Sequence, residues 1–231
     1  MVNLDQVDKY IPRLLGAAFL IVIATSLISG LPLAAAIGSG SISDMLVNIS
    51  NNLTLMHISI LGGLLNSVGI VFLAGFLYIV LNKQNRTFAL IALGLWLGEA
   101  IFYAIMQIGT LGLIPLSLDF VKAGTPVDSF YQTLGNFLYN CVYNQGLMIH
   151  MWFYCLGGLL WYYLFFRSKY IPRVIPLFGL LAVCLALVGL VLQIFGYTVP
   201  IYFSIPILPF ELIIGAWLML KGIKNSSETV G

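Results

Sequence analysis

Charge is scarce in this 231-residue chain. It has ten Lys or Arg and eight Asp or Glu side chains, 8% of its residues, against about 25% in an ordinary soluble domain. That is too little to cover a water-soluble surface, which excludes a soluble globular enzyme and a disordered chain. A net charge of +2 leaves no basic footprint for nucleic acid. Cysteine is nearly absent: Cys141, Cys155 and Cys184 stand far apart with no CxxC pair, so no disulfide or zinc framework is expected. With two histidines there is no multi-histidine cluster, and neither HExxH nor GxSxG occurs. What is abundant is apolar: 61% of residues are hydrophobic and the mean hydropathy is +1.03. The class is a polytopic membrane protein, whose obligatory partner is the lipid bilayer.

Six apolar stretches are long enough to cross about 30 Å of hydrocarbon as helices. They run roughly over 14–37, 53–81, 87–108, 137–166, 174–196 and 201–220. Backbone amides in lipid need internal partners, so an all-α bundle forming one transmembrane domain is expected. Ala34–Ala36 follow the apolar run that begins at Leu14, but that run exceeds a secretory h-region and reads as an uncleaved helix. The second and fourth stretches have asparagine-rich starts (Asn48, Asn51, Asn52; Asn136, Asn140, Asn144), which could carry those helices beyond the membrane or begin in a wet vestibule. The longest connection, Ile108 to Asn136, is expected outside.

Lys9, Arg13, Lys83, Arg86, Arg167, Lys169, Arg173, Lys221 and Lys224 all fall on one side of this topology; only Lys122 falls on the other. The positive-inside rule then makes both termini cytoplasmic. The pentapeptide Lys9–Arg13 recurs as Lys169–Arg173, KYIPR in both. It reads as a reused helix start, with Pro at the first helical position and Tyr, Lys and Arg in the headgroup layer. Gly94 and Gly98 form a GxxxG, and Gly62–Gly63 and Gly157–Gly158 interrupt two other spans; such sites let helix backbones approach.

Ionisable groups inside spans are costly and face an interior or a cavity. At 1.5 Å per residue, Glu99 stands about 20 Å from Arg86, Glu211 about 15 Å from Lys221, His150 about 25 Å from Arg167 and Asn66 about 25 Å from Lys83. These four side chains, from four helices, share a layer near the bilayer middle. His57 lies at the outer end of its helix. Trp96, Glu99, Tyr103 and Gln107 follow helical spacing, and Asn136, Asn140, Tyr143, Leu147, His150, Tyr154 and Trp161 follow heptad spacing. Pro200, Pro206 and Pro209 precede Glu211 and are expected to kink the last helix. Together these features predict an outward-opening polar pocket. Glu99, His150 and Glu211 would be its ionisable groups, and Asn66, Tyr103 and Gln145 would supply hydrogen bonds.

One resemblance accompanies this reading. The start Asn85–Leu90, the aromatic helix from His150 to Arg167–Ser168 with Ile171–Arg173 behind it, and the run Glu211–Leu218 with Lys221–Gly222 together resemble a bacterial and archaeal membrane family known as domain of unknown function 4386. The similarity covers nearly the whole chain and implies a six-helix protein of a prokaryotic cell (inner) membrane, with His150 and Glu211 where members place His and Glu. The Asn-rich helix starts and His57 lie outside it, and no activity or cofactor comes with it.

Binding or translocation of a small molecule or proton is the leading expectation. A metal-assisted intramembrane enzyme is the alternative, since Glu99, His150 and Glu211 could supply three ligands and leave a position for water. Haem held by both histidines would need them at similar depth. A sensory or partner subunit acting through another membrane protein, or a homo-oligomer, is a further reading.

Overall fold

The computed structural model describes residues 4–223, of which 4–9 as backbone. It is helical, with no strand among the described residues. The order is α1 (Leu4–Ile37), α2 (Ile42–Asn51), α3 (Leu53–Leu81), α4 (Arg86–Lys122), α5 (Phe130–Asn136), a π-helical stretch Phe137–Asn144, α6 (Gln145–Ser168), α7 (Val174–Ile194), a 3-10 turn Ile201–Phe203 and α8 (Ile207–Lys221). Among the described residues six segments are long and apolar enough to cross a membrane: Tyr10–Ile37, Leu53–Leu81, Arg86–Lys122, Phe130–Ser168, Val174–Ile194 and Ile201–Lys221. The chain is a multi-pass membrane protein. Lys224 and the side chain of Lys9 lie outside the described residues.

Several boundaries depart from the sequence reading. The third span does not stop at Ile108: α4 continues to Lys122. Leu113, Leu116 and Phe120 are buried at helical spacing, so packing rewards the extra turns. Pro115 sits inside this stretch; it removes one backbone bond without ending the helix. The connection after the third span therefore shrinks to residues 123–129. In the fourth span the asparagines do extend the helix, through a π-helical stretch. Asn48 and Asn51 instead belong to a separate short helix, α2, which stops at Asn52.

The prolines also act differently. Pro206 occupies the cap position of α8 and Pro209 its first turn, where backbone N–H groups have no helical partner to lose. They start the helix rather than kink its interior. Neither copy of KYIPR puts Pro at a first helical position. Pro12 lies inside α1, and Pro172 precedes the Arg173 cap of α7.

The chain divides into two compact units. The first comprises Met1–Ile23, Gly69–Glu99 and Met151–Gly231. Its core includes Phe19, Trp96, Trp161, Tyr162, Phe165 and Phe210, all almost wholly buried. Within it α1 crosses α8 closely: a methyl on Gly16 would overlap the backbone of Met219, and one on Gly215 would stand 3.0 Å from Phe19 Cβ. α7 packs on α8, with the Phe210 ring seated over Gly179.

The second unit comprises Ala24–Val68 and Ala100–His150. Leu33, Ala36, Leu46, Ile49, Met56 and Phe120 lie in its core. Here α1 and α3 touch at Gly62, whose added Cβ would come within 2.8 Å of the Ser29 backbone. Beside it the Ser59 hydroxyl donates to the Ser29 carbonyl at 2.7 Å. α2 docks on α5, and Gln132 donates to the Ser43 hydroxyl at 2.8 Å.

Candidate functional site

In the first unit, three helices assemble an acidic, aromatic cluster. Tyr154 of α6 donates to Glu211 Oε1 of α8 at 2.9 Å. The Tyr162 hydroxyl stands 3.2 Å from that of Tyr154. Tyr154 has one hydroxyl hydrogen, and Glu211 takes it, so Tyr162 is the donor of this second bond. The result is a directed relay, Tyr162 to Tyr154 to Glu211. Glu99 of α4 is buried in the same unit. The sequence placed these two carboxyls at similar depth; the structure gathers them in one unit.

Aromatic rings hold the relay. Trp96, one turn before Glu99 on α4, donates its Nε1 hydrogen to the Tyr154 carbonyl at 3.1 Å. Its ring stacks on that of Tyr154 at 5.7 Å and meets Trp161 edge-on at 6.3 Å. Tyr162 is braced edge-on by Phe210 at 4.5 Å. Two glycines make the room. A methyl on Gly157 would overlap the Trp96 ring, and one on Gly158 would stand 3.1 Å from the Tyr162 ring. Trp161 Nε1 is buried without a hydrogen-bond partner among the described residues.

A second polar cluster belongs to the other unit. Tyr103 meets His150 edge-on, ring centres 5.0 Å apart, and both are buried. Gln107 lies one turn beyond Tyr103 and donates to its carbonyl at 3.4 Å; Gly63 leaves the space its amide fills. Gln107 Oε1 and Thr110 Oγ1 are buried without a hydrogen-bond partner among the described residues. Asn66 accepts from Thr25 of α1 at 2.9 Å. The Ser67 hydroxyl donates to the Ala100 carbonyl at 2.7 Å.

The remaining residues singled out by sequence lie elsewhere. Gln145 is exposed at the start of α6, and His57 is exposed on α3. Asn136 and Asn140 of the heptad stripe join Asn144 in an i, i+4 ladder: Asn140 donates to Asn136 at 2.7 Å and Asn144 to Asn140 at 3.0 Å. Gly94 of the GxxxG faces open space, while Gly98 receives the Phe153 ring. A cavity of ≈ 360 Å³ lies at the junction of α2 and α3, along Ser50–Leu55. Among the described residues, no three His, Cys, Asp or Glu side chains are grouped to hold a metal ion.

Sequence reasoning had not singled out Tyr162, Thr110 or Thr25. The signal for Tyr162 is its spacing: Tyr154, Gly158 and Tyr162 repeat every four residues, with the glycine clearing space for the second ring. Thr110 and Thr25 carry no comparable mark.

The chain belongs to the family described as Domain of unknown function (DUF4386), which matches residues 14–222. No curated protein and no solved structure matches it.

Proposed function

From this membership and the acidic cluster we propose that the protein binds or translocates a proton or a small cationic molecule, with Glu99 and Glu211 as the charge-bearing groups. The observation that carries the reading is the Tyr162–Tyr154–Glu211 relay, with Glu99 buried in the same unit. Ionising a buried carboxyl is costly, so such a group readily takes up a proton or a cation. Glu211 can take up a proton or a cationic group, and Tyr154 and Tyr162 orient this acceptor and can pass a proton along their hydroxyls. His150, ordinarily titrating near neutrality, with Tyr103 and Asn66, offers a second set of exchangeable groups. Gln145, exposed, stands apart as an additional hydrogen-bonding group.

The test uses full-length protein in proteoliposomes containing a pH dye, with a potassium diffusion potential to drive flux. Wild type is expected to conduct protons, or to show a rise in Tm with small organic cations. Glu211→Gln and Glu99→Gln should cut either response about tenfold or more, by analogy with deletion of a positioned acid–base group. Tyr154→Phe should give an intermediate loss. Flux and cation response that are absent in wild type, or unchanged in the double Gln variant, overturn the reading.

A further inference from the structure

The first unit carries a groove on its surface whose shape and charge point to a specific lipid. α1 and α3 leave a hollow of ≈ 200 Å³ between them. Its floor is small, Ala17 and Ala18 on α1 and Gly69 on α3, and its walls are Leu14, Ile21, Phe72 and Phe76. Leu14, Ile21 and Phe72 are at least half exposed, so the hollow opens sideways from the helix pair. Nothing polar in these side chains could hold a hydrated guest. On a membrane-spanning helix pair the surrounding solvent is hydrocarbon.

One end of the groove is cationic. Arg13 directly precedes Leu14, and Lys83 lies two residues past the end of α3, about 10 Å along the axis from Phe76. Both are exposed, and so is Tyr10, one turn before Leu14. Arg and Lys favour phosphate oxygens, and Tyr suits the headgroup layer. We propose that this groove binds an acidic phospholipid, with an acyl chain between α1 and α3 and the anionic headgroup on Arg13 and Lys83. Any lipid fills the apolar part equally. The two cations make the site discriminate, because a zwitterionic headgroup returns less Coulomb energy to them.

Native mass spectrometry of the full-length protein, exchanged into equimolar phosphatidylglycerol and phosphatidylcholine of identical chains, tests this. Wild type is expected to retain phosphatidylglycerol preferentially. Each of Arg13→Gln and Lys83→Gln should reduce the preference about fivefold, and the double variant should abolish it. Both side chains are exposed, so folding is not at issue. Ala17→Phe, which fills the floor, should lower retention of both lipids. Equal retention by wild type, a preference that survives in the double variant, or cross-links placing a second copy of the chain in the groove would each overturn the proposal.

Discussion

Tyr154 sits between two oxygens with a single hydrogen to give. Tyr154→Phe deletes that donor and leaves Glu211 Oε1 without it, while the ring still stacks on Trp96. Stranding a buried acceptor costs about 1–3 kcal/mol. The variant should therefore unfold at lower denaturant in detergent, with Trp fluorescence at the start of the titration unchanged. A wild-type midpoint would show that the bond contributes nothing. At the same scale the glycines separate what was legible in sequence from what was not. They mark close contact, and Gly62 does bring one helix backbone against another. Gly63, Gly98 and Gly157 instead admit side chains, those of Gln107, Phe153 and Trp96, and Gly94 admits nothing. A missing Cβ leaves room; whether a neighbour fills it, and which one, depends on how other helices pack there.

Among elements, α2 shows how a short helix in a membrane protein is held by local chemistry. Ser41 and Asp44 form a reciprocal cap: Asp44 N–H donates to Ser41 Oγ at 3.2 Å, and Ser41 N–H and hydroxyl donate to Asp44 Oδ2 at 2.8 and 2.7 Å. These bonds hold the Asp44 carboxyl below its ordinary 3.8. A lowered folded-state value means stability fully present above 3.8 and lost as pH falls through the lower folded-state value. Amide hydrogen exchange across Ile42–Asn51, corrected for intrinsic rates, should show protection at pH 6 that declines in acid below 3.8. Asp44→Ala should lower protection at pH 6 and flatten that dependence; identical profiles for variant and wild type would refute it. The cap motif and the prolines are local, so their chemistry could be read from sequence, but their roles could not be read from composition alone. Pro209 is harmless because α8 begins at Ile207, and Pro115 sits in mid-helix because the α4 turns beyond it bury Leu116 and Phe120. Helix ends are settled by what the last turn packs against.

For the whole molecule, the clustering of Lys and Arg at alternate span ends predicts cytoplasmic termini. Cys141 is exposed in the π-helical stretch, about 39 Å along the helix from Arg167, beyond the far edge of a 30 Å hydrocarbon layer. A membrane-impermeant maleimide added to intact cells should label Cys141. Cys184, though exposed on α7, lies about 15 Å from Val174, inside the hydrocarbon, and should stay unlabelled. Labelling of Cys141 confined to inverted vesicles would reverse the orientation. Membrane class, the six spans and the placement of basic residues at their ends followed from sequence alone. Transfer of apolar side chains into hydrocarbon is summed residue by residue along the chain, and no distant contact alters the sum. Which polar side chains meet was decided only by tertiary structure. Glu211 joined Tyr154 and Tyr162 in one unit, and His150 joined Tyr103 in the other. A helix turns about 100° per residue, and the angle at which it comes to rest is set by how its neighbours pack against it.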